Sequence, residues 1–262
     1  MVHSYSDVEV DIGGTSLFCS SAELQVSHDV APVRSPGYKG SLGTIPTGEQ
    51  QGSASFTFLG GCPERPTDFS DVDSIKKLIK LGGASGYGYP TSLSVDVRPH
   101  EVVGGSGSYV FFEPIVGGYG IGGGSSSTVS RSAIFDGGHG SFATGVQFSA
   151  NYSFSASWNA VRLVGNYCPE HIYATDASEQ ITLEGYDIGG AIGSCKEAAV
   201  GECDEDCPEI CMDNETLTFT INSPCGSYAQ TFTVTGPVIE SKLRVAEGGV
   251  LTGSITVKNF LI

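Results

Sequence analysis

The chain has 262 residues, enough for one large domain or two smaller ones, each with its own core. Only 16% of the residues are charged, the formal net charge is −16, and Lys and Arg together number 13 with no basic run. That distribution excludes groove binding of nucleic acid through clustered cations, and no stretch approaches the ~18 apolar residues of a membrane-spanning helix.

The first residues, Met1 to Ser6, carry neither a basic start nor an apolar run, so no signal peptide is expected. A cytoplasmic site of synthesis follows, with thiols reduced by default. From there period-two alternation dominates, the signature of strands with one dry face. Val8, Val10 and Ile12 alternate with acids, and Ala22, Leu24, Val26, His28 and Val30 alternate with polar residues. The next runs are Ala54 to Phe58 and Leu93 to Val97. The longest covers Val146 to Ala160, with every intervening residue polar. Shorter strands are expected at Ile181–Gly185, Leu217–Ile221, Phe232–Val234 and Ile255–Val257.

One helix is expected between these strands. Asp68 to Ser74 offers several N-caps, Ile75, Leu78 and Ile79 form a stripe at helical spacing, and Gly82-Gly83 provides a stop. Lys76, Lys77 and Lys80 then fall near its C-terminal end, where the helix dipole favours cations. Two glycine-rich stretches, Gly82–Tyr89 and Gly117–Ser127, read as long loops. Neither lies between a strand and a helix as a phosphate loop must, and Gly104 to Ser108 forms no nucleophile elbow.

The sequence repeats internally. Ser21, Ala22, Ser27, Val33 and Arg34 recur without a gap as Ser149, Ala150, Ser155, Val161 and Arg162, and the apolar phase between them is kept. A looser match sets Glu113-Pro114-Ile115-Val116 over Gly236-Pro237-Val238-Ile239. The expectation is a duplicated β domain, residues 1–145 and 146–262. The fold class is therefore all-β: two similar β-sandwich or half-barrel domains with one short flanking helix. Two fused similar domains suit a ring in which three chains present six similar units.

A long alternating hairpin from Ala22 to Phe58 with a Pro/Gly tip, a flanking helix Asp71–Leu81 and a terminal strand Gly253–Phe260 together resemble the major tail tube proteins of long-tailed bacteriophages. The resemblance is to the duplicated kind that forms trimeric rings. It implies a virion structural protein, assembled in the host cytoplasm, that is not an enzyme and carries no cofactor or catalytic group. It implies partners of three sorts: further copies of the chain, other tail proteins, and viral DNA passing through the lumen without specific binding. No membrane is involved. The tip residues Pro36, Gly37, Tyr38, Lys39, Gly40, Leu42, Ile45 and Pro46 would reach the adjacent ring. Acidic residues such as Glu23 or Glu184 are candidates for a lumen that repels phosphate.

The insert 194–214 departs from the family. It holds Cys195, Cys203, Cys207 and Cys211, with Cys225 following, among several acids. Disulfides, a metal or free thiols all remain open, but the spacing matches no common zinc site, so no metal is assigned. Asp204, Glu205 and Asp206 lack the glycine of a calcium loop. Cys19, Cys62 and Cys168 lie in or beside strands and read as ordinary buried free cysteines. The tripeptide Cys-Pro-Glu recurs at Cys62, Cys168 and Cys207 with no physical account. His3, His28, His100, His139 and His171 show no metal-pair spacing. Two rival functions share the composition. One is a capsid decoration or fibre-associated β-sandwich. The other is a carbohydrate-binding β-sandwich using an aromatic platform such as Tyr87, Tyr89 and Tyr119.

Overall fold

The computed structural model describes residues 8–34, 36, 39, 43–59, 63–69, 71–98, 101–117, 147–163, 168–186, 214–222, 229–245 and 251–262. These form β1 (Val8–Ile12), β2 (Thr15–Val33), β3 (Gly43–Leu59), α1 (Val72–Ile75), β4 (Lys77–Leu81), β5 (Ala84–Val97), β6 (Gly104–Phe111) and β7 (Val116–Gly117). They continue as β8 (Gln147–Val161), β9 (His171–Tyr186), β10 (Asn214–Asn222), β11 (Ala229–Val245) and β12 (Leu251–Phe260). The protein is all-β, and every run of alternation lies in a strand. The long run expected at 146–160 is β8.

The helix is the first correction. Asp71 caps it, its side chain accepting from the Asp73 amide at 3.0 Å, but only one turn forms before Lys76 adopts an extended backbone. Residues 77–81 are strand β4, paired with β1 on one edge and β5 on the other. Pairing on both edges satisfies more backbone groups than a short helix could, and Ile79 is buried just as well in strand phase. Lys80 meets Asp11 across strands, and Lys77 meets Glu64 in the segment after β3, instead of a helix terminus. Gly82-Gly83 is not a helix stop but the two-residue loop of the β4–β5 hairpin, with Gly82 at φ 60°.

The first glycine-rich reading also changes. Residues 84–89 belong to β5, and Gly104 to Ser108 opens β6. Residues 118–127 lie outside the described residues. The glycines of β6 make room for rings: a Cβ on Gly107 would stand 2.6 Å from the Phe56 ring. Glycine here answers a packing need that composition cannot distinguish from a loop.

The strands follow one order twice. Along the first series neighbours run β2-β3-β6-β5-β4, and along the second β8-β9-β12-β11-β10. The registers agree as well. Ala22 faces Phe56 where Ala150 faces Leu183, and Ala54 faces Tyr109 where Ile181 faces Val257. Ser94 faces Ser106 where Lys242 faces Ser254. Irregularities coincide too, at Cys19/Ser21 and Gln147/Ser149, and again at Pro90/Ser92 and Val238/Glu240.

The last pair of bulges shapes the molecule, since a bulge bends a strand. Up to Gly88 β5 pairs with β4, and from Tyr89 on, across the bulge, it pairs with β6. β11 pairs with β10 up to Pro237 and with β12 from Val238 on, again across the bulge. Each of these strands thus serves two layers. The principal sheet runs β11-β12-β9-β8-β5-β6-β3-β2, the two series meeting where β5 pairs with β8. In the first series β1 joins β4 to β2 and closes a barrel. In the second, β10 and the first half of β11 cover the sheet. Phe232 stacks on Phe219 with centroids 4.9 Å apart and meets Tyr152 at 4.8 Å.

The looser repeat match does not correspond in space. Gly236–Ile239 lie within β11, the counterpart of β5, whereas Glu113–Val116 follow β6. The expected division at 145/146 falls outside the described residues.

Candidate functional site

Among the described residues no group of three His, Cys, Asp or Glu is placed to hold a metal. Cys195, Cys203, Cys207, Cys211 and Cys225 all lie outside the described residues, as do Gly37, Tyr38, Gly40, Leu42 and Tyr119. Pro36 and Lys39 are exposed at the tip of the β2–β3 hairpin. Ile45 and Pro46 are corrected from loop to strand: they belong to β3, opposite Ala31 and Val30. Tyr89 does not belong to an exposed platform. It is buried against Phe112 and Trp158, leaving Tyr87 exposed beneath the Lys76 ammonium. Burial pushes the Cys19 thiol up to about 12, so at neutral pH it is a packed thiol and not a nucleophile.

The largest coherent surface is the outer face of the principal sheet. Because directly opposed residues share a face, the registers give continuous rows across it. One row reads Glu23, Ser55, Ser108, Ser92, Ser155 and Ser178. The next reads Ser21, Thr57, Ser106, Ser94, Ser153, Gln180 and Lys258. Hydroxyls bond to one another along them: Ser92 to Ser108 at 2.6 Å, Ser94 to Ser106 at 3.0 Å and Ser155 to Ser178 at 3.2 Å. Thr182 and Thr256 make a further pair at 2.9 Å. Asn151 donates to Asp96 at 2.6 Å, and Ser149 to Glu184 at 2.9 Å. Glu23 and Glu184 occupy this same face. Within the strands of the sheet, the described cations on it are Lys242 and Arg244 of β11 and Lys258 of β12, with Lys242 held by Glu240 at 2.7 Å.

Alternation explains why this face exists. The opposite side of the same strands supplies the core, including Leu93, Val95, Tyr152, Phe154, Ile181 and Leu183. The polar phase is mostly short-chained hydroxyls, which pair with each other, and the exposed Leu59, Tyr186 and Phe260 stand on the same face at the strand ends.

The sheet ends in two long edges. Beyond Cys19, no described strand pairs with the edge of β2 opposite β3. From Val238 to Val245, no described strand pairs with the edge of β11 opposite β12. Unpaired backbone in such strands is a template for another strand. Ile239 and Val245 are half or more exposed on that second edge.

A buried polar cluster pins the two series together, and sequence reading missed it. The Glu179 carboxylate, on β9, is fully enclosed. Arg65 donates to it from Nε at 2.7 Å and from Nη2, and Asn259 and the Tyr152 hydroxyl donate at 3.2 Å each. Burial works against the Arg65 charge, but the hydrogen bonds and charge of Glu179 outweigh it and raise its pKa. Burial, then the nearby carboxylate, raises that of Tyr152. Arg65 belongs to the connection after β3, residues 63–69. That connection also stacks Phe69 on Phe154 and Trp158 of β8, while the Pro63 carbonyl accepts from Gln230 of β11. The signal was available: Glu179 sits in phase with Ala177, Ile181 and Leu183, a carboxylate on the dry side of a strand.

No known protein family matches the chain, and no curated protein resembles it in sequence. No helix among the described residues is long and apolar enough to cross a membrane.

Proposed function

We propose that the chain is a self-assembling structural subunit of the bacteriophage tail-tube type, a virion protein without catalytic function. One observation carries the reading. Two series of strands with the same order and register are joined edge to edge through β5 and β8 into a single sheet with a single hydroxyl-rich face. The two series are then copies of one unit. A sheet that already joins copy to copy inside the chain can go on joining copies between chains. Rotation about a common axis closes such a head-to-tail series into a ring, and closure removes both open edges of the principal sheet.

Each copy brings four strands to the principal sheet. Three chains would close a barrel of about 24 strands, beyond the roughly 16–18 strands that already leave an aqueous channel in porins. The hydroxyl face would line the lumen. Its short polar side chains offer DNA few fixed cations, so phosphates find little to bind and the genome slides without specific contact. The tip of the β2–β3 hairpin would extend past the ring to the next one, and other tail proteins would cap the tube.

Sedimentation velocity over a hundred-fold concentration range, with negative-stain imaging of the heavy fraction, tests the reading. Growth into hollow tubes supports it. A monomer or a discrete trimer at every concentration removes it, the trimer favouring a decoration protein.

A further inference from the structure

From the internal junction we infer the register of the junction between chains: residues 241–245 of β11 pair antiparallel with residues 22–26 of β2 in a second copy of the chain, setting Arg244 opposite Glu23. The inference rests on the tube reading and specifies its interface.

The argument is a transfer of register. Within the chain β5 pairs with β8, Leu93 facing Phe154, Val95 facing Tyr152, Asp96 facing Asn151 and Val97 facing Ala150. The strand order and bulges make β11 the counterpart of β5, with Ser94 at the place of Lys242 and Asp96 at the place of Arg244. They make β2 the counterpart of β8, with Ala22 at the place of Ala150 and Leu24 at the place of Tyr152. These counterpart edges are the two ends of the principal sheet, and no described strand occupies either. Carrying the pairs across sets Leu243 opposite Leu24, Arg244 opposite Glu23 and Val245 opposite Ala22.

The residues fit the transfer independently of it. At the internal junction the polar-face pair is Asn151 donating to Asp96 at 2.6 Å. At the transferred position the corresponding pair is Glu23 and Arg244, of opposite charge, both exposed in the single chain. A basic residue has replaced Asp96 on one strand and an acid has replaced Asn151 on the other, so the change is complementary. One register step would instead set Arg244 opposite an apolar position and turn the faces of the two sheets against each other. Pairing Glu23 with Arg244 also neutralises one of the few cations on the hydroxyl face.

Charge reversal tests this. Glu23→Arg and Arg244→Glu each place like charges opposite one another, which is strongly unfavourable at an interface. Each should raise the concentration needed for assembly at least ~10-fold, and the double reversal should return it to within about 3-fold of the parent. Single-chain folding is checked by Trp158 fluorescence, since neither side chain is in the core. As a second measurement, Glu23→Cys with Arg244→Cys should give an interchain disulfide ladder under mild oxidation, because facing residues lie at disulfide distance. Each single cysteine variant is the control for the native thiols. If tubes form and both reversals assemble like the parent, or the double reversal does not recover, the register is wrong while the tube reading stands. If the parent never assembles and the cysteine pair yields only monomer, the tube reading fails and the register with it.

Discussion

Replacing Arg65 with alanine leaves the Glu179 carboxylate enclosed with two neutral donors, Tyr152 and Asn259, and no cation. The Glu179 side chain has no solvent exposure and that of Arg65 has 21%, so water can replace the guanidinium only in part. Breaking a buried ion pair from one side costs about 3–5 kcal/mol, and the partial exposure of Arg65 places the expected loss near the lower end, about 3 kcal/mol. For a chain of this size that is a fall in Tm of roughly 6–12 °C. The assay is urea unfolding followed by Trp158, the only tryptophan, which donates to the Pro90 carbonyl at 2.8 Å between the two series. Protein is kept dilute, because any self-association would add to apparent stability. The double replacement Arg65→Met with Glu179→Leu removes both charges and should lie within about 1 kcal/mol of the parent. A loss under about 1 kcal/mol for Arg65→Ala would refute the claim that this cluster pins the two series.

Four further outcomes are expected. Cys19, whose thiol is raised from 9.0 to about 12 by burial, should resist alkylation at pH 8 while exposed Cys168 reacts, as peptide mass mapping will show. Because its folded pKa is the higher, its contribution is complete below about pH 9 and is lost as pH rises toward 12. Stability should therefore fall through that window by up to roughly 1.4 kcal/mol per pH unit, less so in Cys19→Ala. A Cβ on Gly236 would stand 2.0 Å from the Lys258 carbonyl oxygen, so Gly236→Ala should cost more than about 4 kcal/mol or yield insoluble protein, read by soluble yield and melting. Phe232→Ala, which empties the stack between Phe219 and Tyr152, should cost about 3–5 kcal/mol by urea unfolding. Replacing residues 37–42 with a short Gly-Ser link should leave rings but block their stacking, and normal tubes from that variant would dismiss the inter-ring role.

Alternation made most strands readable, because a sheet with one dry face writes its period directly into the chain. The β2 and β8 matches were readable for the same reason, since both present the same phase to a core. What was lost depended on partners distant in sequence. Leu78 and Ile79 continue the helical spacing of Ile75, and only β1 and β5 on either side decide for a strand there. Gly107 looks like loop composition until the Phe56 ring is placed against it. The bulges at Pro90 and Val238 leave no periodic mark, yet they turn two strands between layers and leave β5 and β11 each with an edge for another strand. The candidate surface was therefore half legible. Its polar residues were visible as a phase, but its continuity needed the β5–β8 junction. The cysteine cluster was legible as a motif and lies outside the described residues.

Helical reconstruction of the assembled polymer by cryo-electron microscopy is the decisive experiment. The expected result is a hollow tube whose wall is a closed antiparallel barrel of about 24 strands, three chains per ring with pseudo-sixfold symmetry, and the Ser and Thr rows facing the lumen. A polymer in which the principal sheets stay separate, or in which those rows face outward, would contradict it.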